Sequence, residues 1–289
     1  MTFGDENSQH MLHNQNNLFT VIKNTKKPNI WAQLSTFWRM SPKFIVLGAQ
    51  RCGTTTFFEI LQKHPDFRVP LRKEIHYFDL AQNPKKLDYQ AWFPLKKADG
   101  FTVDITPSYI FVPWATKNTA RMFPQMRYLL FLRDPAERAL SHYRKELRTG
   151  RETRSIKNAF APLWECQKNL SCFNAPVSAS NMSFWLHKHY LLRGHYLEQL
   201  QNCEKIVGKN NIMIICSEKF FTAPQKHIDL IAEFAGIKKW STNHSIHRNK
   251  TEKLSVPGDL KKRLQTYYKP LNESLFNHLG HRFPWGDDA

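Results

Sequence analysis

Residues 43–57 read KFIVLGAQRCGTTTF and carry the strongest structural signal in the chain. The continuous apolar run Phe44–Ala49 follows Pro42 and precedes a loop of small residues, as expected of a buried strand. From residue 54 to residue 64, apolar residues recur at helical spacing, and Pro65 ends the helix. The sequence therefore predicts a strand, a loop and a helix in succession.

The loop between this strand and this helix has the spacing G-x4-G-T-T, from Gly48 to Thr55. Backbone N–H groups at the start of a helix bind oxyanions, and the helix dipole favours negative charge there. Gly53 lets the backbone approach an anion closely, and Arg51 adds a charged fork of donors. The pattern predicts a phosphate-binding loop; an ordinary β–α turn with N-capping threonines is the alternative.

Two features of an ATP- or GTP-binding loop are missing. Such a loop reads G-x4-G-K-[ST], and this chain has Thr54 in place of the lysine. The apolar run Leu129–Leu132 continues into Arg133 before Asp134, so no strand ends in a carboxylate suited to magnesium. We therefore expect a nucleotide whose transferable group carries less charge than a γ-phosphate. A small-molecule kinase with a degenerate P-loop is the alternative.

The rest of the chain alternates apolar runs with helical stretches. Further strands are predicted at Phe101–Ile105, Arg127–Leu132 and Asn211–Cys216. Helices are predicted from Pro135 to a stop at Gly150, at Met182–Val207 (one helix, or two meeting near Gly194), at Pro224–Ala235, and at Leu260–Leu279 with an interruption at Pro270. This alternation predicts an α/β fold with a central parallel sheet flanked by helices. Residues 1–41 are interpreted as a polar N-terminal arm and residues 42–289 as one domain.

The chain carries a large excess of positive charge. With 42 Lys and Arg against 24 Asp and Glu, its formal net charge is +18. Such an excess predicts an anionic partner, and nucleic acid, anionic lipid, a nucleotide and an acidic polysaccharide all fit. A basic nucleic-acid-binding protein is therefore a competing hypothesis, although the sequence has no helix-turn-helix, RNP or zinc pattern. The basic residues outside the loop either line an acceptor groove or form a solvated face.

Signals for cellular location point in two directions. No apolar run approaches the roughly 20 residues of a membrane helix, and the N-terminus lacks the features of a signal peptide. These observations favour the cytoplasm. Five N-x-[ST] triplets would be glycosylation acceptors in a secretory compartment; they begin at Asn169, Asn181, Asn243, Asn249 and Asn272. A fragment of a Golgi-lumen protein that lacks its anchor is the alternative.

Cysteine spacing gives no sign of a metal site. The five cysteines form no C-x-x-C and no zinc-type pairing, so we expect no metal. Cys166 and Cys172 are the one close pair. They are either reduced or joined by a disulfide.

Several segments resemble sulfotransferases that use 3′-phosphoadenylyl sulfate (PAPS). AQRCGTTTF resembles their 5′-phosphosulfate loop, and LLFLRDPAERALSHY resembles their 3′-phosphate signature, R-[DN]-P-x-x-R-x-x-S-x-Y; Arg51 and Arg133 are 82 residues apart. KEIHYFD, DITPSY, YLLRGHYLEQL and FNHLGHRFPW resemble segments of the heparan-sulfate-type and related bacterial carbohydrate sulfotransferases. The resemblance covers residues 43–285 and implies transfer of a sulfuryl group from PAPS to a hydroxyl, with a glycan or glycolipid as acceptor.

The resemblance also implies roles for individual residues. Arg51 would contact the leaving phosphate and the transferring sulfuryl group, and Arg133 and Ser141 would bind the 3′-phosphate. Other predicted donor-binding residues are Cys52, Gly53, Thr54, Thr55 and Thr56 in the loop, with Arg248 and Lys250 closing over the donor.

The implied catalytic residues lie in the segment KEIHYFD. Glu74 would be the general base, His76 is its competitor, and Lys73 would stabilise charge on the leaving oxygen or lie at the surface. Two residues depart from the family pattern. Cys52 stands where many relatives have Gly or Ser, and Ile105 stands where the heparan sulfate branch has a lysine. The second departure weakens a heparan sulfate assignment but leaves sulfuryl transfer intact.

Overall fold

A computed structural model describes residues 28–81, 83–166, 187–241 and 256–286, without the side chains of residues 165 and 166. These residues form two compact units. One comprises residues 28–142 and 193–286, and the other comprises residues 143–192, with the gaps just given. The assignment of residues 42–289 to one domain stays a prediction.

The described residues form eleven α-helices. They are α1 Ile30–Leu34, α2 Thr54–Leu61, α3 Tyr77–Leu80, α4 Lys86–Gln90, α5 Pro113–Met122, α6 Pro135–Arg148, α7 Ile156–Cys166, α8 Tyr196–Val207, α9 Ser217–Thr222, α10 Pro224–Ala235 and α11 Gly258–Leu279. Short 3-10 helices lie at Thr36–Trp38, Tyr109–Phe111, Leu192–Gly194 and Lys209–Asn211.

Four parallel strands form the sheet of the larger unit. In spatial order they are β2 Asp104–Ile105, β1 Phe44–Gly48, β3 Arg127–Leu132 and β4 Ile212–Cys216. The central strands are apolar throughout because both of their faces are covered: every residue of β1 is buried, as is β3 beyond Arg127. On one face, Phe57 of α2 packs against Phe131 of β3 with ring centroids 5.1 Å apart. The predicted α/β fold with a parallel sheet is confirmed.

Strand order determines where a ligand can bind. The chain leaves β1 towards β2 on one side and reaches β3 on the other side, so the order reverses at β1. Ligands of open parallel sheets bind beyond the carboxyl ends of the strands at such a reversal. Here that edge brings together the segments that follow β1, β2, β3 and β4.

Two of the next three predicted elements differ from the structure, and the third, Met182–Val207, follows the alternative of a break near Gly194. The strand predicted at Phe101–Ile105 is reduced to Asp104–Ile105, although residue 101 forms an isolated bridge with Phe67. In the Met182–Val207 segment, the described α-helix begins at Tyr196 and follows the 3-10 turn Leu192–Gly194. The predicted interruption at Pro270 is wrong.

Helix α11 runs through Pro270 without a break. A proline inside a helix removes one backbone hydrogen bond. Leu264 and Tyr268 before it, and Leu275 and Phe276 after it, are buried, so tertiary packing holds the helix together on both sides.

Candidate active site

The loop after β1 is held in a backbone shape that few residues adopt. Arg51 has φ 72° and Gly53 has φ 89°, both in the left-handed region. A Cβ on Gly53 would lie 2.8 Å from Phe221 Cζ, so glycine is needed there for space as well as for conformation. The first backbone hydrogen bond of α2 runs from Phe57 N–H to the Gly53 carbonyl, 3.0 Å. The N–H groups of residues 54–56 precede it and, as at the start of any helix, have no carbonyl partner within the helix.

The loop contacts the helix that follows β3. Arg51 Nε donates a hydrogen bond to Ser141 Oγ at 3.1 Å. Ser141 is 4% exposed, on the second turn of α6. Asp134 fixes the start of α6, because its Oδ1 accepts hydrogen bonds from the backbone N–H groups of Ala136, 2.8 Å, and Glu137, 3.2 Å. The two segments that carry the predicted donor-binding residues therefore meet.

Tyr196, at the start of α8, joins the same two segments. Its hydroxyl donates to the Arg133 carbonyl at 2.9 Å and lies 3.8 Å from Cys52 Sγ. Ser217, which follows β4, donates from Oγ to the Cys52 carbonyl at 2.7 Å. The Cys52 side chain is fully buried, and burial raises the pKa of its thiol to about 11. Cys52 can therefore offer a ligand only its backbone.

Lys73 and Glu74 lie beside the loop. Lys73 Nζ donates to Thr55 Oγ1 at 2.9 Å and to Glu74 Oε1 at 3.1 Å. Glu74 has φ 58°, and its N–H donates to the Ile105 carbonyl at the end of β2, 3.1 Å. Side-chain exposure is 21% for Lys73 and 36% for Glu74. Because a left-handed non-glycine residue is strained, its presence here marks a position whose surroundings determine the backbone.

His76 lies between two carboxylates. Its Nδ1 is 2.7 Å from Asp79 Oδ2, and its Nε2 is 3.7 Å from Glu74 Oε2. Ser108 Oγ donates a short hydrogen bond to the same Asp79 oxygen and lies 3.3 Å from His76 Nδ1. Burial lowers the pKa of His76, but the charges and hydrogen bonds of Asp79 and Glu74 outweigh it and raise the pKa to about 10. The imidazole is therefore protonated at neutral pH.

A second buried carboxylate, that of Asp104, is connected to this cluster through hydrogen bonds. Asp104 accepts hydrogen bonds from the hydroxyls of Tyr89, 2.8 Å, Tyr109, 3.0 Å, and Thr106, 2.6 Å. Burial raises the pKa of Asp104 to about 6, although these donors favour its ionised form. The Tyr109 hydroxyl in turn accepts a hydrogen bond from the Tyr77 N–H at 3.1 Å. Asp104 thereby fixes the start of α3, the helix that carries Asp79.

Arg133 and Arg138 occupy different environments on the β3–α6 segment. Arg133 keeps 34% of its side chain exposed, and its Nη2 lies 3.9 Å from Glu137 Oε2. The Glu137 carboxylate is also 3.0 Å from Lys261 Nζ. Arg138 is completely buried. Of these two arginines, Arg133 is therefore the one that is accessible from solvent.

Comparison with known proteins identifies the family. The family model described as a sulfotransferase domain matches residues 41–263. The chain belongs to the sulfotransferase family.

Two relatives of this chain, both from Homo sapiens, are heparan sulfate sulfotransferases. Heparan sulfate glucosamine 3-O-sulfotransferase 3B1 is 22% identical over 273 residues, with 84% of this chain and 65% of the relative covered. Heparan sulfate glucosamine 3-O-sulfotransferase 6 is 24% identical over 272 residues, with 86% and 75% covered. The chain therefore spans slightly less than two thirds of the length of the first of these relatives.

A bacterial sulfotransferase has the same fold. The crystal structure of a sulfotransferase from Alicyclobacillus acidocaldarius superposes with a TM-score of 0.68 at 21% sequence identity. The match covers 84% of this chain and 97% of that chain. The superposition shows the shared fold, and the family model confirms the resemblance of the sequence motifs to sulfotransferases.

The structure brings together most of the predicted site residues of this sulfotransferase domain. Those that lie around the carboxyl edge of the sheet are Arg51, Cys52, Gly53, Thr54, Thr55, Thr56, Lys73, Glu74, His76, Arg133 and Ser141. Arg248 and Lys250 lie outside the described residues, as does the pairing of Cys166 with Cys172. In the described ranges, no group of three or more His, Cys, Asp or Glu side chains is placed to hold a metal ion. None of the described helices is both long and apolar enough to cross a membrane.

Four contributors to the site were not predicted from sequence: Asp79, Ser108, Tyr196 and Ser217. Asp79 follows His76 by three residues, and that spacing on a helical turn is a signal for contact. The other three act across long sequence separations. Ser108 reaches Asp79 over 29 residues, and Ser217 reaches Cys52 over 165 residues, so no local pattern reveals them.

Proposed function

We propose that this chain transfers the sulfuryl group of PAPS to a hydroxyl of a carbohydrate acceptor, with Glu74 as general base. The observation that carries the proposal is the Arg51–Ser141 hydrogen bond of 3.1 Å. It joins the two segments that resemble the 5′-phosphosulfate loop and the 3′-phosphate signature of the family. The heparan sulfate relatives support a sugar hydroxyl as the acceptor.

The residues around the loop fit a bisphosphorylated nucleotide. Backbone N–H groups at the start of α2, the threonine hydroxyls and the Arg51 guanidinium would bind the 5′-phosphosulfate. Arg133 and Ser141 would bind the 3′-phosphate, for which an arginine fork is suited. Arg248 and Lys250 are proposed, from the family resemblance alone, to close over the donor. When bound, the donor supplies an activated sulfur that the acceptor oxygen attacks while the bond to the 5′-phosphate oxygen breaks.

Glu74 is the better candidate for the base of the two considered. With its pKa raised to about 10, His76 already carries a proton at neutral pH and cannot accept another. Glu74 takes the proton from the acceptor hydroxyl, and the His76 imidazolium, with Nε2 3.7 Å from Glu74 Oε2, orients the Glu74 carboxylate. Lys73 holds both Thr55 and Glu74, from where its ammonium can stabilise charge on the leaving oxygen.

The environment of Asp134 argues against the kinase alternative. Its Oδ1 is engaged by two backbone N–H groups at the start of α6, so the carboxylate caps a helix. Titration calorimetry separates the hypotheses. We expect adenosine 3′,5′-bisphosphate to bind without magnesium. Tight binding of magnesium–ATP, with none of the bisphosphate, would establish the kinase alternative; salt-sensitive binding of DNA or RNA alone would establish the nucleic-acid alternative.

The acceptor is tested by sulfate transfer from radiolabelled donor to glycan, lipid and phenol acceptors. We expect labelled glycan or glycolipid. Transfer to phenols alone would overturn the carbohydrate assignment while leaving sulfuryl transfer in place. Ile105 is buried at 2% exposure, so this position cannot present the cation that the heparan sulfate branch has there. Glycans other than heparan sulfate therefore belong in the screen.

The cytoplasmic location expected from the sequence stays part of this proposal. The Golgi-lumen alternative is tested by expressing the longest natural form of the chain in cells and locating it. Glycan attachment at an N-x-[ST] triplet would establish a secretory location.

A further inference from the structure

Large apolar side chains lie at the surface of the short helices near the start of the described chain. Five of them are between 65% and 75% exposed, which is unusual for residues of this size. Leu95, 55% exposed, lies alongside, because the backbone N–H of Lys96 donates to the Trp38 carbonyl at 2.7 Å. We use the term apolar patch for Ile30, Trp31, Leu34, Phe37, Trp38 and Leu95.

Both α1 and the following 3-10 turn expose large apolar residues and bury small residues. In α1, Ile30, Trp31 and Leu34 are exposed at helical spacing and Ala32 is buried; in the 3-10 turn, Phe37 and Trp38 are exposed and Thr36 is buried. A surface helix normally packs its large apolar residues inwards. Here the large side chains face solvent, so the patch is suited to an apolar environment outside the protein.

The exposed Lys96 and Lys97 form a basic rim along one edge of the apolar patch. Lys96 Nζ donates to the Phe37 carbonyl at 3.0 Å, and both Lys96 and Lys97 are exposed. Residues 85–99 carry four lysines against the two acidic residues Asp88 and Asp99, and the sequence has no acidic residue between Glu6 and Glu59. The rim of the patch therefore complements a negatively charged surface.

We propose that the apolar patch inserts into the interfacial layer of an anionic lipid bilayer and holds the protein at the membrane surface. Tryptophan and phenylalanine favour the membrane–water interface, and lysines near the surface are attracted to anionic headgroups. A second copy of the chain fits less well, because a symmetric dimer through this patch would bring two basic rims together.

Co-sedimentation of the full chain with vesicles tests the proposal. One vesicle contains phosphatidylcholine alone, and the other contains phosphatidylcholine mixed with phosphatidylserine. We expect the partition coefficient to be about fivefold or more higher for the mixed vesicles and to fall as salt is added. Trp31→Ser combined with Phe37→Ser should lower it about tenfold or more, since two interfacial anchors are lost.

Matched variants separate the patch from general surface effects. Leu230→Ser, on α10 and 44% exposed, should leave partitioning unchanged. Lys96→Glu with Lys97→Glu should weaken binding to the mixed vesicles more than Lys226→Glu does. Equal thermal melting temperatures would show that every variant is folded.

Three results would overturn the proposal. The first is that the unaltered chain partitions into neither vesicle. The second is that Leu230→Ser is as damaging as the patch variants. The third is a dimer, detected by sedimentation velocity without lipid, that dissociates on Trp31→Ser with Phe37→Ser; that result would assign the patch to a second copy.

Discussion

The imidazole Nδ1 of His76 lies 2.7 Å from Oδ2 of the completely buried Asp79. Because a carboxylate only accepts hydrogen bonds, this contact places a proton on Nδ1. The other ring nitrogen faces Glu74, so the charge of the imidazolium is shared by two carboxylates. This arrangement makes the stability of the site depend on pH.

The first prediction concerns stability and His76. Its folded pKa, about 10, lies above the ordinary value of 6.5, so the folded chain binds more protons between these pH values. Its stabilising contribution is therefore complete below about pH 6.5 and is lost as pH rises towards 10. Urea unfolding should show that the difference between the unaltered chain and His76→Gln shrinks over this range. A difference that grows with pH would contradict the assignment; His227→Gln, away from the cluster, is the control.

The second prediction concerns the proposed base. Glu74→Gln keeps the size of the side chain but removes its ability to take a proton. Turnover should fall about a hundredfold or more, while calorimetry gives a nearly unchanged affinity for adenosine 3′,5′-bisphosphate. Glu59→Gln, exposed on α2, is the matched control and should keep full activity. Full activity of Glu74→Gln would assign the base to another residue.

The third prediction concerns recognition of the 3′-phosphate. Arg133→Ala should weaken adenosine 3′,5′-bisphosphate about tenfold or more, because a charged hydrogen-bonded contact to phosphate is lost. Adenosine 5′-phosphate should be affected much less. Arg127→Ala, at the opposite end of β3, tests whether loss of any arginine near this strand has the same effect. Equal weakening of both ligands by Arg133→Ala would move the 3′-phosphate site elsewhere.

The fourth prediction concerns Tyr109 as a positioning residue. Tyr109→Phe removes the hydroxyl that donates to Asp104 and accepts from the Tyr77 N–H. We expect the free energy of unfolding to fall by about 1–3 kcal/mol and turnover to fall as well, since α3 loses a fixed start. Tyr128→Phe removes another buried hydroxyl, hydrogen-bonded to Thr119 at 3.1 Å, and should reduce stability alone. If Tyr109→Phe and Tyr128→Phe lowered turnover by the same factor, Tyr109 would have only a structural role.

Local signals explain which parts of the molecule the sequence could predict. The strand and loop from Phe44 to Gly53 follow from an apolar run and two glycines, and α6 follows from Pro135 and the helical spacing after it. These features are determined by neighbours in sequence, so a pattern of neighbours finds them. The proposed catalytic segment around Glu74 came from resemblance to a family, because nothing in KEIHYFD alone distinguishes it from a solvated turn.

Long-range contacts explain what the sequence left unpredicted. The raised pKa of His76 depends on the nearby Asp79 and Glu74, but the Asp79 carboxylate also accepts a hydrogen bond from Ser108 on a separate segment. The contact between the loop and α6 involves Tyr196 from a third segment. Strand β2 has only two residues, although the Lys43 N–H donates to the Thr102 carbonyl in the same register. The predicted interruption at Pro270 is wrong for a related reason. The tertiary packing that maintains α11 on both sides of this proline leaves no signal in the local helix propensity.

The burial of Cys52 has a chemical consequence for the loop that contains it. Only a thiolate is readily alkylated or oxidised, and a buried thiol with a pKa of about 11 supplies almost none at physiological pH. The sulfur lies in the middle of the loop that we propose to bind the donor, yet it is shielded from peroxide, glutathione disulfide and iodoacetamide alike. We therefore expect oxidative stress to leave the Cys52 thiol of this loop unmodified, without a reducing partner to restore it.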